Sequence, residues 1–289
     1  MAQLGGAPIE ATDARTRAST TVGDRSVELS TAQRSGTQTT ASLAVAGPRI
    51  FVVPAYNEED NIVRLLDDLC ARRELFTSGS RIVVVDDGSA DATVELVTQY
   101  ESDVDIQLVA LGRNQGPGAA FRAGFAAALD GCAEDARIVT LEADTTSDLD
   151  AIPAMLERAD DGADVVLAVW GDMIKVSRRR RILSHGASFV VRRALGLQAT
   201  TVSSFFRVYR ASVLQDAVAR YGDRFIQEPG FACKAEILSK LNAMGARVAE
   251  VHVSLDWERR VGKSKMPVAR TMYAYWRMIL RERVMQGQA

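Results

Sequence analysis

The chain has 289 residues, 47% hydrophobic and 25% charged, which is enough apolar material for one large domain with a sizeable core. Lys and Arg total 35 against 37 Asp and Glu, and the formal net charge of −2 says little because the charge is unevenly spread. The three cysteines, Cys70, Cys132 and Cys233, are far apart and lack metal-ligand spacing, which excludes a zinc cluster and fits a reduced, cytosolic setting.

Residues 1 to about 47 are rich in Ala, Ser, Thr, Gln and Gly without a sustained period, a composition that predicts a disordered tail. Glu10, Asp13, Asp24 and Glu28 argue against a cleaved targeting peptide there. From Pro48 the pattern changes. Ile50 to Val53 reads as a buried strand, ended by Pro54, and Glu59 to Arg73 as an amphipathic helix. Ile82 to Val85 is a second strand, after which Ser89 is placed to cap a helix running through Tyr100. Ile106 to Leu111 follows as a strand, Pro117 to Leu129 as an Ala-rich helix and Ile138 to Leu141 as a strand. Leu149 to Arg158 is a helix and Val165 to Val169 a strand. This alternation predicts an α/β fold with a mainly parallel sheet covered on both faces. Beyond Val169 the pattern gives a basic amphipathic helix at Arg178 to Leu197 and a short strand at Arg207 to Tyr209. A helix at Phe231 to Met244, a strand at Arg247 to Leu255 and a last helix at Val268 to about Val284 complete it. No stretch approaches the roughly 20 apolar residues of a bilayer-spanning helix, and the N-terminus has no apolar signal core.

Three motifs sit at strand ends, and in a parallel sheet all three emerge at the carboxyl edge, where such sheets bind nucleotides. Tyr56, Asn57 and Glu58 follow Pro54; they either face a base and ribose or begin a helix, with Asn57 as its N-cap. Asp86 and Asp87 follow an all-apolar strand, and helix capping explains one acid there more easily than two. Glu142 and Asp144 alternate at a strand end, a pattern that suits Mg²⁺ or Mn²⁺ held by carboxylates plus substrate phosphates or, equally, a solvated acidic loop. The turn Asn114-Gln115-Gly116-Pro117-Gly118 either cradles a phosphate or simply turns the chain; it lacks the Lys-Ser/Thr ending of a P-loop. Acidic groups at this edge without a Gly-rich dinucleotide loop point to a metal-held nucleoside diphosphate.

The order and spacing of these pieces resemble family 2 glycosyltransferases of the GT-A fold, above all dolichol-phosphate and polyprenol-phosphate mannose synthases. The likeness runs from about 48 to 283. Ser203-Ser204-Phe205-Phe206-Arg207-Val208-Tyr209-Arg210 is similar to the family's T-S-G-F-R-x-Y-R, and Arg260-Val261-Gly262-Lys263-Ser264-Lys265 to its R-x-G-x-S-K. The resemblance implies a GT-A domain over 48–289, with a nucleotide-binding half at about 48–145 and an acceptor half at about 146–289. It further implies that Pro54, Tyr56, Asn57, Glu58, Asp86, Asp87 and Gly118 form the nucleotide site and that Glu142 and Asp144 hold Mg²⁺ or Mn²⁺ and the diphosphate. Arg207, Arg260 and Lys265 would contact the donor diphosphate and the acceptor phosphate. Three departures concern the sugar and acceptor region: Glu142 replaces the family's first metal Asp, Thr201-Val202 stands in place of Asp-Pro, and Phe205 replaces the Gly of T-S-G-F-R. Gly171-Asp172 also sits near where a Ser-Arg pair commonly follows.

From Lys175 to Arg193 there are seven Lys/Arg and no acid, and from Asp256 to the end eight against three. Segments 178–197 and 268–284 therefore suit peripheral contact with an anionic membrane surface, or else packing on the sheet with a solvated basic side. Nucleic acid fits poorly, because the basic stretch lacks interleaved aromatics and the body is acidic. The expectation is an inverting enzyme that moves a sugar, mannose from GDP-mannose as the first choice, to a polyprenyl or dolichyl phosphate at the cytosolic membrane face. A phosphate monoester needs no strong base. Two alternatives stand beside it: a soluble transferase acting on a hydroxyl, with Glu228 as general base, and a non-catalytic nucleotide-sugar-binding protein.

Overall fold

The computed structural model describes residues 47–170, 189, 192–197, 199–202, 204–253 and 268–286. The expected tail up to residue 46, Gly171-Asp172, most of the basic helix 178–197, Ser203 and the motif containing Arg260 and Lys265 lie outside the described residues.

A seven-stranded sheet forms the centre, in the order β3-β2-β1-β4-β6-β5-β7. Its strands are β1 (Arg49–Ala55), β2 (Arg81–Asp86), β3 (Asp105–Ala110), β4 (Arg137–Thr140), β5 (Val165–Trp170), β6 (Arg207–Arg210) and β7 (Val248–Val253). β1 pairs in parallel with both β2 and β4. β6 runs antiparallel to β4 and β5, and β7 is parallel to β5. The chain steps outward from β1 through β2 to β3 and then returns to the other side of β1 with β4. The order of the strands thus reverses between β1 and β4, the kind of crevice in which open α/β sheets bind ligands.

The period-2 alternation of each strand divides the core between the two faces. Ile50, Val52, Val83, Val85 and Ile138 face α3 (Pro117–Leu129), α5 (Ala211–Tyr221), α6 (Cys233–Ala243) and α7 (Val268–Gln286). Phe51, Val53, Ile82, Val84 and Val139 face α1 (Ile62–Cys70), α2 (Thr93–Thr98) and α4 (Ile152–Asp160). The mainly parallel α/β sheet read from the sequence is therefore present. Helix α5, which the sequence reading did not include, covers β6; its buried Ala211, Leu214 and Ala217 recur at helical spacing.

Some boundaries differ for local reasons. β1 continues through Pro54 to Ala55, because Pro54 pairs with Val85 in the ladder without needing its missing N–H. α1 begins at Ile62, and α2 at Thr93, because the residues before each are tied to the other's loop. Asn57 N–H donates to Ser89 Oγ at 2.8 Å, and Ala90 N–H to Asn57 Oδ1 at 2.8 Å. Asn57 and Ser89 are consequently not helix caps. Among the described residues no helix is long and apolar enough to cross a membrane.

Helix α3 lies flush on the sheet at Gly124, where an added Cβ would sit 2.5 Å from Val52 Cγ1 and 3.1 Å from Val85 Cγ2. A side chain at Gly124 gains about 1 kcal/mol or less of helix propensity, whereas overpacking costs about 1–3 kcal/mol. Gly124→Val is therefore expected to lower unfolding stability by about 2 kcal/mol in urea denaturation. An unchanged or raised midpoint contradicts this packing.

Candidate active site at the carboxyl edge of the sheet

The ladder registers bring the acidic motifs together. Ala55 pairs with Asp86, and Val52 with Thr140. Continuing the second register by two residues brings Glu142 level with Pro54, beside the strand that ends in Asp86.

Buried Asp86 folds back on its own turn, accepting from Gly88 N–H at 3.0 Å and from Ser89 N–H at 3.1 Å. Gly88 adopts φ +73°, and a Cβ there would lie 2.3 Å from the Arg113 carbonyl carbon. Only glycine lets the two loops approach so closely. Buried Asp87 reaches across the gap: its Oδ1 accepts from Gln115 N–H at 2.7 Å and its Oδ2 from Gly116 N–H at 2.8 Å. Burial pushes the Asp87 carboxyl above its ordinary value, and these two bonds pull it part of the way back. Two adjacent acids, which capping alone explains poorly, each organise a different turn.

Tyr56, Asn57 and Glu58 lie half-buried at the end of β1. Asn57 adopts φ +52°, and Glu58 Oε2 accepts from Asn61 Nδ2 at 2.8 Å. Past β4, Glu142 is half-buried and Asp144 buried, with Asp144 Oδ1 accepting from Thr146 Oγ1 at 2.6 Å. Thr145 takes φ +59°, an uncommon conformation for a β-branched residue, and accepts a hydrogen bond from Arg64 on α1. Strain of this kind collects at functional sites. Glu142 and Asp144 fit a hard divalent cation that completes its shell with substrate phosphates. Among the described residues no group of three or more His, Cys, Asp or Glu converges as an all-protein cage.

The turn containing Gly118 packs against the 228–230 loop. Its N–H donates to Pro229 O at 2.9 Å, and a Cβ would fall 1.9 Å from Glu228 O. Glycine is needed here for close approach of the 228–230 loop, and this N–H is committed to protein rather than to phosphate.

Glu228 itself is 0% exposed and faces inward, within 2.9 Å of Arg277 Nη2 and 3.0 Å of Arg281 Nη1. Its carboxylate fastens α7 to the loop. Arg207 is likewise buried. It is 1% exposed, and its terminal nitrogens donate to Lys234 O at 2.9 Å, Val202 O at 3.2 Å and Tyr209 Oη at 3.2 Å. Enclosed in this way, the guanidinium braces β6 against α6.

Two cations near the edge escaped the sequence reading. Arg64 lies on α1 beside Thr145. Lys234, in the first turn of α6, is buried, with its Nζ 4.1 Å from the centre of the Phe205 ring and 5.4 Å from that of Phe231. Burial lowers its pKa to about 8, while the Glu142 carboxylate acts in the opposite direction. A lysine among Ala232, Cys233 and Ala235 was the available signal.

An open, mainly parallel α/β sheet with acidic groups at the strand-order reversal has its ligand crevice at the carboxyl edge. Comparison with known proteins specifies it further. The family described as Glycosyl transferase family 2 matches residues 50–217, more than half of the chain, and the chain belongs to that family. The undecaprenyl-phosphate 4-deoxy-4-formamido-L-arabinose transferase of Yersinia pestis (strain Pestoides F) is 30% identical over 231 residues, 79% of this chain and 65% of the relative. The protein of the same name from Pseudomonas fluorescens (strain Pf0-1) is 35% identical over 171 residues, 58% of this chain and 48% of the relative. The chain thus spans between about half and two thirds of the length of these relatives. Glucosyl-3-phosphoglycerate synthase from Mycobacterium tuberculosis, solved with Mn²⁺, UDP and glucosyl-3-phosphoglycerate, superposes with a TM-score of 0.59 at 15% identity, over 82% of this chain and 80% of that one. Mannosyl-3-phosphoglycerate synthase from Rubrobacter xylanophilus gives 0.56 at 14% identity, over 84% and 76%. These two likenesses show the GT-A type of fold.

Asp87→Asn tests the cross-loop clamp. An amide keeps one acceptor and turns its NH₂ toward a backbone donor, so one bond is lost and one buried donor orphaned. Stability is expected to fall by about 1–3 kcal/mol in urea denaturation. An unaltered midpoint rules out the clamp.

Proposed function

We propose that this chain is a glycosyltransferase that passes a sugar from a nucleotide-sugar donor to a polyprenyl phosphate with inversion at the anomeric carbon. The observation that carries the reading is the convergence of Asp86, Asp87, Glu142 and Asp144 at the β1/β4 reversal in a family 2 chain. The acceptor class rests on the relatives named for undecaprenyl phosphate. GDP-mannose remains the first donor to test, beside a nucleotide-linked 4-formamido-arabinose.

In this reading Tyr56, Asn57, Glu58 and Asp86 face the nucleoside, and Asp87 shapes the neighbouring turn. Glu142 and Asp144 hold Mg²⁺ or Mn²⁺, which when bound offsets the charge growing on the departing diphosphate. The acceptor phosphate has a second pKa near 6 and is mostly dianionic at pH 7, so its oxygen needs no strong base. It attacks the anomeric carbon from the side opposite the nucleotide; the new C–O bond forms as the bond to the diphosphate breaks. Arg260 and Lys265 are assigned to the phosphates on the sequence resemblance. A hydroxyl acceptor would need a base, and the engagement of Glu228 with Arg277 and Arg281 does not favour that alternative.

The structure also offers a surface for a lipid-borne acceptor. On α7, Thr271, Tyr275 and Met278 face the core, whereas Tyr273, Trp276, Leu280 and Val284 are exposed at spacings of three and four residues. Arg270 and Arg283 are exposed on the same helix, and its only acid, Glu282, is buried. Aromatic and apolar residues mixed with arginine suit the interface of an anionic membrane. Peripheral attachment at the cytosolic face follows in this reading, with 178–197 as a second contact.

Transfer of labelled sugar from each donor to undecaprenyl phosphate, followed by thin-layer separation of the lipid product, tests the reaction. The expected result is a Mn²⁺- or Mg²⁺-dependent labelled lipid, lost by about 10²-fold or more in Asp144→Ala. Label transferred to a water-soluble hydroxyl acceptor and never to the lipid phosphate contradicts the proposal.

A further inference from the structure

The 228–229 backbone and the turn before α3 meet main chain to main chain. The Glu228 and Pro229 carbonyls lie against Gly118 and Gly116, leaving no room for a Cβ at either, and Gly118 N–H donates to Pro229 O at 2.9 Å. The same turn gives its Gln115 and Gly116 N–H groups to Asp87, the neighbour of Asp86, at 2.7 and 2.8 Å. Where the 228–229 backbone lies therefore sets where the clamped turn lies. That backbone is in turn placed by charge. The Glu228 side chain is wholly buried, and a carboxylate removed from water must stay where its cations are. Those cations are Arg277 Nη2 at 2.9 Å and Arg281 Nη1 at 3.0 Å, both on α7. The two arginines differ. Arg281 is also bound to Glu236 at 2.8 Å. Arg277 keeps 52% of its side chain exposed, beside the exposed Trp276, and Glu228 is its one bonded side-chain partner among the described residues. Glu228 and Arg277 both lie beyond residues 50–217, the part of the chain that the family description covers.

We propose that Arg277 is a positioning residue for donor binding, which acts through Glu228 and the 228–229 backbone to hold the Gly116–Gly118 turn and the Asp87 clamp in place. Without Arg277, the buried Glu228 has only Arg281, whose fork already serves Glu236. A carboxylate with one cation fewer is freer to move, and the carbonyls on its backbone move with it. The outer side of α7 and the donor edge are thereby coupled in binding energy. A role for Glu228 as a base predicts the reverse, because removing Arg277 would free the carboxylate and leave donor binding as it was. The inference rests on the proposed donor site at Asp86 and Asp87.

Isothermal titration of the full chain with GDP and with UDP, at a fixed excess of Mn²⁺, is the test. Arg277→Gln is expected to bind whichever diphosphate the parent protein binds about five- to tenfold more weakly. Arg277→Lys, which keeps a charged donor for the single bond, is expected to stay within about twofold of the parent. Adding Arg277→Gln to Glu228→Gln is expected to cause little further loss, since both act on one contact. Arg220, an exposed arginine on α5 whose guanidinium lies 5.7 Å from the centre of the Tyr221 ring, supplies the control for loss of charge alone. Amide exchange adds a local readout: the Gln115 and Gly116 N–H groups are expected to exchange faster in Arg277→Gln, with α1 unchanged. Arg277→Met, which keeps the unbranched stem, repeats the measurements if Arg277→Gln does not fold. Unaltered diphosphate affinity in Arg277→Gln, or an equal loss in Arg220→Gln, overturns the inference while the donor site stands. If the parent protein binds neither diphosphate, the donor-site reading falls and the inference falls with it.

Discussion

The carboxylates of Asp86 and Asp87 shape the edge of the sheet on which the rest of the site depends. Each is buried and bonded to backbone N–H groups, one within its own turn and the other in the loop before α3. A buried acceptor left unpaired costs about 1–3 kcal/mol, so these four backbone donors and two side chains fix one another. Reciprocal bonds between the 57–59 and 89–93 segments extend the same stitching to β1: Glu59 N–H donates to Asp91 Oδ2 at 3.2 Å, and Ala92 N–H to Glu59 Oε2 at 3.0 Å. The loops that would meet a donor are thereby held by side-chain carboxylates rather than by packing alone.

A second set of charges, whose carboxylates and Lys240 are buried, ties the C-terminal helix to this edge. Glu236 pairs with Lys240 at 2.7 Å and with Arg281 at 2.8 Å, and its Oε2 accepts the N–H groups of Gln227 and Glu228 at 2.9 and 2.8 Å. Glu228 in turn binds Arg277 and Arg281, and the backbone at 228–229 presses on Gly118. Three glutamates, Glu228, Glu236 and Glu282, face Lys240, Arg281 and Arg277, so the charges balance. Buried ion pairs add little net stability against an apolar equivalent, but breaking one is costly because a charge is stranded. The arrangement therefore specifies where α7 lies, and with it the direction of the exposed Trp276 and Tyr273.

Much of this was readable from residue order. The strands β1, β2 and β4 are continuous apolar runs ending in acids, and that pattern alone predicts both a parallel sheet and a charged carboxyl edge. The shared edge of Asp86, Glu142 and Asp144 followed from it, as did the close fit of the Ala- and Gly-rich α3. What could not be read were inward-facing charges. Arg207 and Glu228 look like exposed functional groups in sequence, because nothing local reveals that Val202, Lys234 and α7 close over them. Helix α5 was missed because its apolar stripe, Ala211, Leu214 and Ala217, is short and weak. Lys234 was overlooked because Phe205, the ring on which its ammonium rests, is distant in sequence.

In the proposed reaction the carboxyl edge between β1 and β4 receives the donor. Hydrogen–deuterium exchange with saturating donor nucleotide and Mn²⁺ tests this most directly. Slowed exchange is predicted at the amides of 56–58, 87–89 and 144–147, with little change at the opposite edge around Arg49, Glu74 and Arg137. Protection confined to that opposite edge, or absent from all three strand-end segments while the nucleotide is demonstrably bound, would contradict it.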